Sequence, residues 1–147
     1  MILNFNYLPY KFKYDYIDDF KENRAKVKLI NKWGFIDQYG NEIIECKYDY
    51  IWNFYENKAK IKLNNREGFI DEQGNEIIEC KYDFIWEFSE NKAAIKLNSK
   101  YGFIDEYGNE IIKCKYDTVN NFYENKAGVK LNGKWGFIDQ YGNEIIE

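Results

Sequence analysis

Residues 134–139 read Lys-Trp-Gly-Phe-Ile-Asp, and the core of this hexapeptide recurs at a constant interval along the chain. The tetrapeptide Gly-Phe-Ile-Asp occurs every 34 residues and begins at Gly34, Gly68, Gly102 and Gly136. The tripeptide Lys-Tyr-Asp keeps the same interval and begins at Lys13, Lys47, Lys81 and Lys115. A period of this length indicates tandem copies of one supersecondary unit, here 13–46, 47–80, 81–114 and 115–147.

Within each copy the hydrophobic pattern is that of β-strands. Residues 59–63, Ala-Lys-Ile-Lys-Leu, alternate apolar and charged side chains, which predicts one buried and one solvated face. Asn132-Gly133 follows the last copy of this strand and predicts a type I′ hairpin turn. The same turn is predicted in the earlier copies at Asn31-Lys32, Asn64-Asn65 and Asn98-Ser99.

A second turn and a third strand complete the unit. The pattern Asp-x-x-Gly-Asn-Glu predicts a turn that the aspartate caps and that closes at a left-handed glycine. The four glycines are Gly40, Gly74, Gly108 and Gly142. A strand such as Glu76–Cys80 follows, and the segment 48–58 is expected to be a short helical turn or an irregular connector that carries Phe54 into the core.

The predicted fold is therefore all-β: four tandem 34-residue antiparallel β-meander repeats in a single domain, 1–147. One such unit cannot bury both of its faces, so neighbouring units must stack. We expect an open solenoid-like array, with a closed propeller-like ring as the alternative. Residues 1–12 fit the repeat only loosely and are predicted to be a degenerate amino-terminal cap, in which Pro9 discourages further edge pairing.

Composition excludes several classes of function. The 147 residues include no histidine, which excludes imidazole catalysis, and the formal net charge of -4 offers no electrostatic footprint for nucleic acid. The sequence has no apolar run of about 18 residues, so no ordinary transmembrane helix is expected. The amino terminus has no basic residue ahead of its apolar stretch and does not resemble a secretory signal, which favours a cytoplasmic setting.

The recurrent acids and cysteines suggest chemistry, but structural roles account for them better. Asp37, Glu42 and their copies suggest paired carboxylates or a calcium site, yet four equal copies at hairpin turns are what turn chemistry alone predicts. Cys46, Cys80 and Cys114 lack histidine partners and CxxC spacing, so we expect small buried side chains and no zinc. No metal, no cofactor and no catalytic residue is predicted.

Aromatic residues are the strongest compositional signal, with 14 Tyr, 11 Phe and 4 Trp. Two phenylalanine columns never vary between copies, which packing explains: Phe35, Phe69, Phe103 and Phe137, and Phe20, Phe54, Phe88 and Phe122. Two other columns do vary and are freer to contact a partner, so the candidate binding residues are Tyr50, Trp52, Phe84 and Trp86. In the structural alternative these side chains merely cover the connector.

The tandem pattern resembles the bacterial WG-repeat (KWG-repeat) family over residues 13–147. Its hallmark is intact at Lys32-Trp33-Gly34 and Lys134-Trp135-Gly136, and it is altered at Arg66-Glu67-Gly68 and Lys100-Tyr101-Gly102. The resemblance implies an all-β, propeller-like repeat module without a common enzymatic activity.

The expected function is a non-enzymatic scaffold for protein–protein interaction. The alternative is a carbohydrate- or surface-binding module whose aromatic ladder is built on Trp52 and Trp86. A protein partner is expected first, a glycan is the second possibility, and the fully consensus carboxyl-terminal copy suggests end-to-end self-association. No nucleic acid or membrane partner is predicted.

Overall fold

The computed structural model describes residues 10–145, with side chains from Phe12 onward. The chain divides into two compact units, Met1–Cys80 and Lys81–Glu147. Over the described range each unit is made of antiparallel strands, preceded in the first unit by one turn of helix, α1 (Tyr10–Lys13). The prediction of an all-β repeat fold is confirmed, while Pro9 and most of the predicted cap, 1–12, lie outside the described residues.

The first unit contains sheets 1 and 2, in which strands that follow one another in sequence are neighbours. Sheet 1 consists of β1 (Tyr16–Ile17), β2 (Arg24–Leu29), β3 (Lys32–Asp37) and β4 (Glu42–Tyr48). Sheet 2 consists of β5 (Tyr50–Ile51), β6 (Lys58–Leu63), β7 (Arg66–Asp71) and β8 (Glu76–Tyr82), and the boundary between the units falls within β8. Both sheets are therefore meanders, as the repeat pattern predicts.

The second unit contains sheets 3 and 4 with the same topology. Sheet 3 consists of β9 (Phe84–Ile85), β10 (Lys92–Leu97), β11 (Lys100–Asp105) and β12 (Glu110–Tyr116). Sheet 4 consists of β13 (Thr118–Val119), β14 (Lys126–Leu131) and β15 (Lys134–Asp139). Beyond β15 the chain turns back, and the backbone N–H of Ile145 donates to the carbonyl of Phe137 at 2.9 Å.

The first hairpin turn of each copy has the backbone of a type I′ turn. Asn132 and Gly133 have φ values of 51° and 79°, which confirms the strongest turn prediction. The prediction for the first copy was wrong by one residue, because the turn lies at Ile30-Asn31, with φ values of 50° and 60°. Leu29 pairs with Lys32 across the strands, so Lys32 is the first residue of β3 and not part of the turn.

The connector between copies is not helical, and only its middle, 52–54, is irregular and carries Phe54 to the core, as one of the two alternatives predicted. Its start forms a two-residue strand, such as β5, and its end forms a second tight turn at Glu56-Asn57, whose φ values are 48° and 66°. Tyr55 and Lys58 close this turn, with the N–H of Tyr55 donating to the carbonyl of Lys58 at 2.8 Å. Each predicted three-stranded meander thus gains a short additional strand, paired with the strand that follows it.

The Asp-x-x-Gly turn follows its prediction in detail. The Oδ1 atom of Asp37 accepts the backbone N–H groups of Tyr39 and Asn41 at 2.9 and 2.8 Å. Gly40 has a φ of 86°, a conformation that glycine adopts without steric cost. The same bonds recur at Asp71, Asp105 and Asp139.

The glycine of the Trp-Gly motif is required by a close approach of two strands. A Cβ atom on Gly34 would lie 2.3 Å from the carbonyl oxygen of Ile44 and 2.8 Å from the backbone nitrogen of Cys46. The register between β3 and β4 shifts at this point, between Trp33 and Phe35, so the bulged backbone of β4 occupies the space of the missing side chain. Gly68 and Gly102 meet their neighbouring strands in the same way.

In each unit the core lies between two sheets. Phe35 of sheet 1 packs on Phe54, which belongs to the copy that forms sheet 2, with ring centroids 5.2 Å apart. In the second unit Phe103 packs on Phe122 in the same way, with the centroids 4.7 Å apart. The buried residues of the two clusters are Phe35, Ile44, Tyr48, Ile51, Ala59, Ile61 and Ile70, and Ala94, Phe103, Ile112, Tyr116, Phe122, Ala127, Val129 and Ile138.

Two of the eight phenylalanines predicted as core are exposed. Phe20 precedes β2 and Phe137 lies in β15, and both side chains are largely open to solvent. Phe35, Phe54, Phe103 and Phe122 are each covered by the facing phenylalanine of an adjacent sheet, whereas within the described residues neither Phe20 nor Phe137 has a ring partner of this kind. The described residues include no helix with the length and apolarity needed to cross a membrane.

Candidate functional site

The first unit has an open groove of about 540 Å³ on one side of sheet 1. The groove is lined by Asp15, Tyr16, Asp18, Lys26, Lys28, Asn31, Trp33 and Tyr50. We call it the Trp33 groove, because the tryptophan of the first Trp-Gly motif is among its lining residues.

Strand register assembles the groove. Tyr16 on β1 pairs with Lys28 on β2, and Lys28 pairs with Trp33 on β3, so the three side chains form one row across the sheet. Lys26 lies two residues before Lys28 on the same face. Sheet 2 contributes Tyr50, the first residue of β5, which is the copy of Tyr16.

The aromatic rings of the groove meet edge to face. The ring of Trp33 lies 5.8 Å from that of Tyr16 and 5.7 Å from that of Tyr50, with interplanar angles of 71° and 64°. Tyr50 in turn contacts Trp52 at 4.8 Å. Four aromatic side chains therefore make a continuous series, in the T-shaped arrangement that their charge distribution favours.

Two lysines carry positive charge onto this aromatic surface. Lys26 is 8% exposed, and its Nζ atom donates to the carbonyl of Ile51 at 3.1 Å and lies 5.2 Å from the centre of the Trp33 ring. The Nζ atom of Lys28 lies 5.5 Å from the same ring. Among the described residues Lys28 forms no ion pair, so its charge is available to a ligand.

In the second copy, where glutamate replaces the tryptophan of the motif, a lysine on the adjacent strand pairs with it. Glu67 stands where the first copy has Trp33, and it is 3% exposed. Its carboxylate forms an ion pair of 2.9 Å with Lys60, whose Nζ atom also lies 5.0 Å from the ring of Trp52. The lysine that contacts tryptophan in sheet 1 is thus paired with an acid in sheet 2.

The four residues predicted as a binding site are divided between the units. Tyr50 and Trp52 are in contact in the first unit, and Tyr50 lines the Trp33 groove. Phe84 and Trp86 are in contact in the second unit, with ring centroids 4.3 Å apart. Trp86 also contacts Tyr101 at 5.3 Å and packs against the buried cluster, so its ring is mainly a cover for that core.

The recurrent carboxylates and thiols are held in structural roles. Burial raises the pKa of Asp71, but hydrogen bonds from Asn75, Gln73 and Gly74 outweigh it and hold that pKa below its usual value. The pKa of Cys46 is raised to about 11, first by burial and then by the carboxylate of Glu42, so this thiol stays protonated at neutral pH. Residues 10–145 contain no cluster of three or more potential metal ligands.

A family model described as the WG containing repeat matches the chain at 10–33, 33–66, 68–101 and 101–135. The chain belongs to the WG-containing repeat family. No curated protein matches it.

Two solved structures show a weak overall likeness to this WG-repeat chain. KlHsv2 with loop 6CD replaced by a Gly-Ser linker aligns at 10% identity with a TM-score of 0.47. A plant lectin with two metal binding sites from Cicer arietinum aligns at 13% identity with a TM-score of 0.31. The alignments cover 87% and 90% of this chain and 50% and 91% of the other chains, so the WG-repeat chain spans half of the KlHsv2 chain.

The WG-repeat groove contains residues that were not predicted as site residues, above all Trp33, Lys26 and Lys28. A signal for them was present in the sequence. A two-residue turn at Ile30-Asn31 pairs Lys28 with Trp33, and this pairing is lost when the turn is placed one residue later.

Proposed function

We propose that this WG-repeat chain is a non-enzymatic binding module that holds a protein partner in the Trp33 groove. The partner segment presents a carboxylate beside an apolar side chain. The observation that carries this proposal is the ammonium group of Lys28, which lies 5.5 Å from the centre of the Trp33 ring and has no ion pair within the described residues.

The groove has the composition of a protein-binding surface. Tryptophan and tyrosine supply large contact areas with few rotatable bonds, and they are enriched among the residues that dominate interface energies. The carboxylate of a partner would complete the environment of Lys28, while its apolar side chain would pack against the exposed ring of Tyr16. The ammonium group of the buried Lys26 adds a second positive charge beside the ring of Trp33.

A glycan suits the same groove less well. Stacking of a sugar requires an open ring face, whereas two lysine ammonium groups lie over Trp33 and the rings of Tyr16 and Tyr50 form T-shaped pairs with it. Trp52, a rung of the expected aromatic ladder, is likewise approached by Tyr50 and Lys60. The geometry therefore supports a protein ligand over a carbohydrate.

The site chemistry supports binding without catalysis. The chain has no histidine, and the thiol pKa of Cys46 lies far above neutral pH. The aspartates that suggested paired carboxylates accept backbone hydrogen bonds within their own turns.

Selection from a random peptide library displayed on phage tests the proposal, because the library samples many partner sequences at once. We expect the full chain to enrich peptides that carry Asp or Glu next to an aromatic or aliphatic residue. The charge-reversing substitution Lys28→Glu should weaken binding of the selected peptides at least about tenfold, because it turns attraction of the carboxylate into repulsion.

The matched control is Lys130→Glu, which makes the same change at the same position of sheet 4, outside the groove. Equal loss of binding in both variants, or enrichment without an acidic residue, contradicts the proposed site. A shift of tryptophan fluorescence with oligosaccharides that Trp52→Ala abolishes would instead favour the carbohydrate function.

A further inference from the structure

Inside each unit, adjacent sheets are joined by a repeated set of side-chain pairs. One pair joins two phenylalanines, Phe35 with Phe54 in the first unit and Phe103 with Phe122 in the second. Another is an ion pair between the lysine that begins β3 or β11 and the aspartate of the Lys-Tyr-Asp that follows it in the sequence. This pair is Lys32 with Asp49 in the first unit and Lys100 with Asp117, at 2.7 Å, in the second.

Within the described residues, sheet 4 presents one half of these pairs without the other. We call Lys134, Trp135 and Phe137 the outgoing face, since they are the copies of Lys32, Trp33 and Phe35. Phe137 is 55% exposed, whereas Phe103 at the same position of sheet 3 is 1% exposed. Trp135 is also 55% exposed, and within the described residues Lys134 has no ion pair.

The first sheet presents the complementary half. We call Asp15, Tyr16 and Phe20 the incoming face, since they are the copies of Asp49, Tyr50 and Phe54. Phe20 is 44% exposed, whereas its copy Phe122 is 1% exposed. Tyr16 is also exposed, although its copy Tyr50 contacts the Trp33 ring of the preceding sheet.

The residues in and next to the incoming face form the same hydrogen bonds within their sheet as their copies in sheet 2, which sheet 1 covers. The Oδ2 atom of Asp15 accepts the backbone N–H of Ile30 at 2.8 Å, as that of Asp49 accepts the N–H of Asn64 at 2.8 Å. The Oδ1 atom of Asp49 accepts a lysine, but over the described range Asp15 has no such partner. The hydroxyl of Tyr14 donates to Glu42 at 3.3 Å, as that of Tyr48 donates to Glu76 at 3.0 Å.

We propose that the outgoing face of one molecule binds the incoming face of a second copy of this chain, in a head-to-tail contact. Phe137 packs on Phe20 of the second copy, Trp135 contacts its Tyr16, and Lys134 pairs with its Asp15. The second copy is the occupant because it supplies each missing partner at the spacing that the chain uses between its own sheets.

A contact between two different faces leaves one of each free on every pair of molecules. Such a heterologous contact continues into longer assemblies unless its rotation closes a ring. It differs in this respect from a symmetric dimer, in which two outgoing faces would bury each other and the incoming face would be irrelevant. This difference makes the proposal testable with two variants.

Sedimentation velocity of the full chain over a wide range of concentration is the first measurement. We expect the mass to rise with concentration beyond that of a dimer. The substitutions Phe137→Asp and Phe20→Asp should each weaken association by about tenfold or more, because each places a charge in an apolar contact. Both positions are exposed, so the variants should keep the circular dichroism spectrum of the parent chain.

The decisive measurement mixes the two variants. Each retains one intact face, so the mixture should form a 1:1 complex that grows no further, while each variant alone stays monomeric. The control Tyr107→Asp changes an exposed tyrosine outside both faces and should leave association unaltered. A monomeric parent chain, a monomeric mixture, or a dimer that Phe137→Asp abolishes and Phe20→Asp does not would each overturn the proposal.

Discussion

The glycine of the Trp-Gly motif shows how one residue can be required by a neighbour that is distant in sequence. In three copies an added Cβ atom would overlap the backbone of the following strand. Gly128 in β14 differs, since an added Cβ atom there would meet only side chains, the nearest of them Asn120 at 3.1 Å. The glycine of the Trp-Gly motif is therefore required by the close packing of two backbones.

This contrast predicts different costs for the same substitution. In the second unit, Gly102→Ala should lower the free energy of unfolding by about 1–3 kcal/mol, because its Cβ would lie 2.2 Å from the carbonyl oxygen of Ile112. Gly128→Ala, whose added Cβ would meet only side-chain atoms, should change it by less than about 0.5 kcal/mol. Urea unfolding followed by tryptophan fluorescence measures both variants, and equal costs would show that the close approach is not the cause.

A second residue-scale lesson concerns Glu67, which replaces the tryptophan of the motif. The sequence shows this replacement, but it does not show that Lys60 forms an ion pair with Glu67. The equivalent lysine in sheet 1, Lys26, instead donates to a backbone carbonyl and lies over Trp33. The pairing depends on side chains from two strands, so it follows from register and not from the motif alone.

At the scale of the element, turns determine the register. The alternation of residues 59–63 and the Asn-Gly turn predicted the strands correctly, since both are local properties of the backbone. The short strand β5 and the Glu56-Asn57 turn were missed, because two residues are too few for a period and Glu-Asn is not a strong turn signal. The first-copy turn was misplaced because Ile30 is an unusual residue for a left-handed backbone.

Ile30 is therefore a position where the chain can be stabilised. Its φ is 50° and its side chain is exposed, while the other copies have asparagine there. The substitution Ile30→Asn should raise the free energy of unfolding by about 1 kcal/mol, because asparagine tolerates the left-handed conformation better than a β-branched residue.

The reverse substitution in the second copy, Asn64→Ile, is the matched control and should lower the free energy of unfolding by a similar amount. Urea denaturation of both variants measures the effect. A loss of stability in Ile30→Asn would mean that apolar contacts of Ile30 outweigh its backbone strain.

At the scale of the whole molecule, the absence of histidine shapes the response to pH. Few groups with ordinary pKa values titrate between about pH 5 and 8, so the free energy of unfolding should be nearly constant there. The depressed pKa of Asp71 stabilises the fold above the unfolded value of about 3.9, and this contribution is lost as pH falls through the folded pKa.

At alkaline pH the free energy of unfolding falls as pH rises, which is opposite to its change at acid pH. The pKa of Cys46 is raised to about 11, so its contribution is complete below the unfolded value of about 8.5 and is lost as pH rises through the folded value. Urea unfolding repeated at a series of pH values from acid to alkaline measures both losses of the free energy of unfolding. Asp71→Asn should reduce the loss of stability at acid pH, to which the other aspartates still contribute, and leave the alkaline change unaltered. A steep change of stability near neutral pH would contradict this account.

The sequence by itself determined the repeat, the strand class, the Asp-x-x-Gly turns and the membership of the phenylalanine columns. These follow from spacing, alternation and turn chemistry, which act over a few residues and therefore survive without tertiary context. Tertiary structure alone decided which copies of a repeated residue are covered. Phe103 and Phe137 have identical sequence neighbours, Gly and Ile, yet one is buried and the other exposed, because burial depends on whether another sheet packs against the residue. The Trp33 groove was also a tertiary outcome, since its rings come from strands that only the fold brings together.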